Sequence, residues 1–290
     1  MKKTVLILMA ATFGIWACSE TNNDAADTDT ANDTASAPDT DISGVAGDCE
    51  SLFGSPGENT GLSSKQCNTS CDCTDGSSYT APVFSKEDID EIDKWTLITP
   101  IAELTEDPYE NPDKYPQDSK SVCAVIIDQT KDYKYELQNF DSIKAAEDAG
   151  AIVTHTGGCG QCSNLHNLAV YMRQADMTDV VRQCGIDSFG HDRDFNIQCL
   201  LDLGFDLPCA QIWSYNTYHT QAECIVECSA ALHDPYHNAD GTLNACLQCD
   251  EDKSGDIFKA VAGRTRRNSG LPSSICRPCN TIAHLTHQYK

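Results

Sequence analysis

The chain has 290 residues, with 44 Asp and Glu against 20 Lys and Arg, for a formal net charge of −24. That balance argues against nucleic acid as a partner, because phosphates would be repelled, and against broad contact with anionic lipid. Seventeen cysteines beside an ordinary apolar share of 40% indicate a core supplemented by disulfides, in an oxidising compartment.

Met1, Lys2 and Lys3 make a positive start, and Thr4 to Ala17 are fourteen uncharged, mostly apolar residues. Such a segment is too short to span a bilayer core and reads as an export signal. Its end, Ile15-Trp16-Ala17-Cys18, resembles the lipobox of bacterial lipoproteins, with Trp16 an unusual member of that motif. The resemblance covers residues 1–18. It implies that Cys18 becomes the lipidated, palmitate-bearing first residue of the mature protein. It also implies an anchor in the bacterial cell envelope, with Ser19 directing the protein to the outer membrane. The same residues also fit an ordinary secretory signal. With Cys18 set aside, sixteen cysteines remain, enough for eight bridges, each worth about 2–4 kcal/mol.

Residues 19–47 are rich in Asp, Thr, Ala and Asn. They cannot bury enough apolar surface to offset their ordering entropy, so a disordered acidic tether is expected. Residues 48–120 begin with Cys49, Cys67, Cys71 and Cys73 among glycines, a cysteine-rich, loop-rich region. Asp88 to Leu97 suggests one short helix, and Thr99 to Asp118, with four prolines, irregular chain.

Residues 121–290 carry the main stapled domain. Val122 to Ile127 is a continuous apolar run, a buried strand. Tyr133 to Leu137 alternates as a half-exposed strand does. Asp141 caps an expected helix to Ala149, with Gly150 as its stop, and Ala151 to Thr156 is strand-like. Ser163 to Gln174 places Leu165, Leu168, Ala169 and Met172 on one helical face. Asp206-Leu207-Pro208 reads as a cap and a first-turn proline. Thr220-Gln221-Ala222-Glu223 reads as a capping box for a helix to Leu232, with Cys224 and Cys228 on one face. The expected class is α+β and disulfide-rich, a small sheet followed by a mainly helical C-terminal half.

Three constellations bear on chemistry. In the first, a strand runs into glycines, then Cys159-Gly160-Gln161-Cys162, then a helix. A helix N-terminus stabilises a thiolate, and a lowered thiol pKa favours exchange. The stretch resembles the active-site segment of thioredoxin-like proteins. That resemblance implies thiol–disulfide exchange at Cys159 and Cys162; apart from it, His155 and His166 are candidate proton donors. Gly158 to Cys162 also resembles the nucleophile segment of papain-like proteases, with Cys162 in the nucleophile position, Ser163 in place of the tryptophan and Thr156 in place of the oxyanion glutamine. In an exported chain so rich in cysteine, both residues read more readily as structural staples.

In the second, Cys246-Leu-Gln-Cys249 and Cys276-Arg-Pro-Cys279 have the spacing of a four-thiolate zinc site, but oxidation to disulfides is the default outside the cytoplasm. In the third, Asp250, Asp252, Ser254 and Asp256, with Gly255, match the first half of a calcium loop of the EF-hand type. Val261 stands where that loop needs a bidentate acid. The same run reads as a helix start, with Ile257, Phe258 and Val261 facing the core and Arg264, Arg266 and Arg267 beyond it. The arginines bind an anion or neutralise nearby carboxylates. No cofactor and no metal are expected. The expectation is a lipid-anchored, non-catalytic surface or binding protein, with an oxidoreductase as the alternative and the partner open.

Overall fold

The computed structural model describes residues 84–289, apart from 175, 239–241, 272, 274, 276 and 278–280. The export signal, Cys18, the tether, the loop region from Cys49 to Cys73, and Cys276 and Cys279 lie outside the described residues. Those described form an α+β, disulfide-rich fold of eight α-helices and one four-stranded mixed sheet.

Helix α1 (Lys86–Asp93) opens with a full capping box between Ser85 and Asp88. Strand β1 (Thr96–Leu97) follows, then irregular chain broken by a 3-10 turn at Pro112–Lys114. Strands β2 (Val122–Ile127), β3 (Lys134–Phe140) and β4 (Ile152–Thr156) complete a sheet of order β1-β3-β2-β4. Strand β2 pairs antiparallel with both neighbours, and β1 pairs parallel with β3. The first four residues of β2 are buried, as a central strand of apolar residues requires.

Between β3 and β4 lies α2 (Ile143–Asp148), capped by Ser142 rather than Asp141 and stopped at Gly150 with φ +73°. Helices α3 (Leu165–Arg173), α4 (Met177–Asp187), α5 (Arg193–Asp202), α6 (Leu207–Ala230), α7 (Ala245–Lys253) and α8 (Gly255–Ala262) make up the second half. The main core joins α1 (Ile89, Ile92) to Val125 and Tyr135 of the sheet and to Leu165, Leu168, Leu200 and Ile212 of the helices.

Helix α6 starts as the sequence indicates. Asp206 accepts the amide of Cys209, and Pro208 fills the first turn. The helix continues through the Thr220–Glu223 segment to a kink at Cys224, so the expected helix start at Thr220 is corrected. Thr220 lies in the helix interior and turns its hydroxyl to the Asp250 carboxylate. A nearby partner on α7 outweighed the local capping alternative. The only irregularity in α6 is at Cys224 (φ −124°), which is bonded to Cys249.

Candidate functional site

The Cys159–Cys162 turn is a structural junction. Cys159 is bonded to Cys123 of β2, and Cys162 to Cys209 in the first turn of α6. The two cysteines do not pair with one another, which corrects the reading of a Cys159–Cys162 redox couple. Nor does a helix begin at Cys159: α3 starts six residues later behind the Asn164 cap, so its positive end does not act on that sulfur. Cys162 is fully buried and bonded, which removes the nucleophile of the papain-like resemblance. The turn instead closes the end of α8. The amides of Gln161 and Cys162 donate to the carbonyls of Val261 and Ala262, which a helix C-terminus leaves unpaired. Gly160 and Gly263 make this approach feasible. A Cβ on Gly160 would sit 2.3 Å from the Val261 oxygen, and one on Gly263 2.5 Å from the Gly160 nitrogen.

Behind the turn lies a buried polar cluster. The Nδ1–H of His155 donates to the Thr156 carbonyl (3.0 Å), so its Nε2 accepts from Ser163 Oγ (2.7 Å). Burial, reinforced by the nearby Arg264 charge, pushes the His155 pKa well below its ordinary value. His155 and Ser163 are both fully buried. The proton-donor role expected of His155 therefore has no path to a solvent-borne substrate. His166 is committed elsewhere, to Asp93 Oδ1 (2.7 Å) and the Gly204 carbonyl (2.8 Å). Arg264 forms the centre of the cluster. Its five N–H groups donate to the carbonyls of Cys162, Thr154 and Ser163 and to the hydroxyls of Ser269 and Thr154.

The two metal alternatives are also corrected. Cys246 and Cys249 are bonded to Cys228 and Cys224, which leaves no thiolates on that side for zinc. Asp250 and Asp252 lie on α7, Ser254 at the junction, and Asp256 on α8, so the acidic run is two consecutive helices rather than a coordinating loop. Asp250 is instead buried against Asn216 and Thr220, and burial raises its pKa. Among the described residues no three His, Cys, Asp or Glu gather as a metal site.

A cleft of about 330 Å³ opens between α4, α6, α7, α8 and the C-terminal segment. Its walls are mainly apolar, with Met177, Val181, Trp213, Phe258, Leu271 and Ile282 among them. Trp213 and Phe258 pack with ring centroids 4.6 Å apart. At one place three cations meet one carboxylate. Glu251 lies 2.8 Å from Lys259, 3.0 Å from Arg277 and 3.5 Å from Arg267. Burial alone would raise the Glu251 pKa, but Arg277, Lys259 and Arg267 together hold it at about 2. Arg182 also lines the cleft. Its Cζ is 5.1 Å from the Tyr236 ring, and its buried Nη2 has no hydrogen-bond partner among the described residues.

A family of unknown function (DUF8771) matches residues 193–285. None of the curated proteins and none of the solved structures matches the chain. The matched stretch holds α5 to α8 and most of the cleft, but not α4, the sheet or the Cys159 turn. Sequence reasoning missed the cleft, whose lining runs from Tyr171 to Ile282. The one available signal was the arginine run after α8, and the fold divides that run. Arg264 enters the core, Arg266 donates to the carbonyls of Tyr171 and Gln174, and only Arg267 reaches Glu251.

Proposed function

We propose that this chain is a lipid-anchored protein of the bacterial cell envelope, placed at the outer membrane by Cys18 and Ser19. Its stapled domain binds a small molecule without transforming it. The lipobox-like end and the acidic segment behind it support the anchoring. The cleft supports the binding, and it is the single observation on which the reading rests. It has the volume and the mainly apolar lining, with a few convergent polar groups, typical of ligand sites. Thiol–disulfide exchange draws no support from the geometry, since Cys159 and Cys162 are each bonded elsewhere.

The test uses the neutral dye N-phenyl-1-naphthylamine on the oxidised chain. Saturable binding of one dye per chain is expected. Ile225 lines the cleft and is 43% exposed, so Ile225→Trp fills space there without disturbing the core. That variant is expected to abolish binding. Unaltered binding by the variant, or none by the wild type, overturns the reading.

A further inference from the structure

We propose that the cleft takes an anionic amphiphile, a fatty-acid-like molecule whose apolar tail lies along the Trp213–Phe258 wall and whose carboxylate meets Lys259, Arg267 and Arg277. This rests on the reading of the cleft as a ligand site and specifies what it holds.

Charge is the first argument. The whole chain is at −24, yet the cleft lining holds five cations (Arg182, Lys259, Arg266, Arg267, Arg277) against two acids (Asp250, Glu251). A random sample of this surface would be acidic. At the cationic end Lys259, Arg267 and Arg277 gather around the carboxylate of Glu251, with Asp256 3.9 Å from Lys259. Over the whole lining the five cations less Asp250 and Glu251 leave a positive excess, which an anionic head group reduces. Lys259, Arg267 and Arg277 keep 29%, 31% and 22% of their side-chain surface open, so they remain accessible while holding Glu251. The second argument is the wall itself. A small polar anion would leave Met177, Val181, Trp213 and Phe258 wet, whereas an alkyl or aryl body covers them.

The experiment measures decanoate, decan-1-ol and decylamine, three head groups on one tail. Each is titrated by tryptophan fluorescence into the full-length, unlipidated, oxidised chain at pH 7.5 and low salt. Decanoate is expected to bind at least tenfold more tightly than decan-1-ol, and decylamine most weakly. Arg277→Gln is expected to lower decanoate affinity about tenfold while leaving decan-1-ol unchanged. Glu251→Gln, which removes the competing carboxylate, is expected to raise decanoate affinity. If Arg277→Gln fails to fold, Glu251→Gln and the salt dependence of decanoate binding decide. Equal affinity for decanoate and decan-1-ol, or a preference for decylamine, overturns the anionic assignment while leaving the cleft a ligand site. Failure of all three to bind removes the ligand-site reading and this inference with it.

Discussion

Arg264 shows how a buried charge is held without a counter-ion. It forms no ion pair among the described residues, and all five of its N–H groups end on oxygen acceptors in β4, in the Cys162–Ser163 turn and at Ser269. Arg264→Met is expected to cost about 3–5 kcal/mol by urea denaturation, because several buried acceptors lose their donors together. Arg264→Lys should recover no more than half of that, since three donors on a point charge cannot replace a five-donor fork. A loss under 1 kcal/mol for the Met variant would refute the assignment. His287 lies in the same cluster, with Nε2 2.7 Å from the Ser269 carbonyl. Burial, then the Arg264 charge, lowers its pKa from 6.5 to about 4. Below pH 6.5 the unfolded chain takes up a proton that the folded chain refuses. The stabilisation is therefore complete above pH 6.5 and is lost as pH falls through 4. It amounts to about 3 kcal/mol for this one group, and His155 acts in the same direction. Urea midpoints at pH 7 and pH 5 check this. His287→Gln should show a shallower fall than the wild type, and an identical fall contradicts it.

At the scale of elements, the α6–α7 hairpin is the most constrained part of the fold. Cys224–Cys249 encloses Cys228–Cys246, with sequence separations of 25 and 18. With the inner bridge closed, the outer one restricts only a short further loop, and the converse holds when the outer is closed. Each single removal (Cys224→Ala with Cys249→Ala, or Cys228→Ala with Cys246→Ala) is expected to cost about 2–3 kcal/mol. Removing both should cost about 1 kcal/mol more than the sum, from the logarithmic dependence of closure entropy on loop length. Additive losses in urea would show that the folded hairpin, rather than the unfolded chain, sets the effect. The hairpin also has a functional consequence. Cys228, Cys246 and Glu251 all line the cleft, so the bridges fix the position of the carboxylate around which its cations gather.

At the scale of the molecule, two expectations join the fold to its setting. All ten cysteines in the five described bridges should resist alkylation in unfolded protein isolated without reductant. Labelling at Cys159 or Cys162 would revive the exchange reading. Cys18→Ser is expected to release the protein from membranes. If the variant still sediments with them, the anchor lies elsewhere.

Much of the fold was legible in the sequence because it depends on neighbours along the chain. The apolar run Val122–Ile127 is a central strand, Gly150 stops α2, and Asp206 with Pro208 starts α6. The cysteine count indicated a stapled domain, and the strand-like and helix-like runs indicated its α+β class. Tertiary structure alone decided what depends on distance in space. A disulfide forms only where two Cα atoms come within about 7 Å, and spacing could not show that Cys159 meets Cys123 while Cys162 meets Cys209. A capping box at Thr220 was locally sound, yet its hydroxyl found Asp250 on another helix. Three arginines within four positions were sent to the core, to backbone carbonyls and to a cleft carboxylate. The candidate site was illegible for the same reason. Its walls come from segments far apart in the chain, and its charge is opposite in sign to that of the chain as a whole.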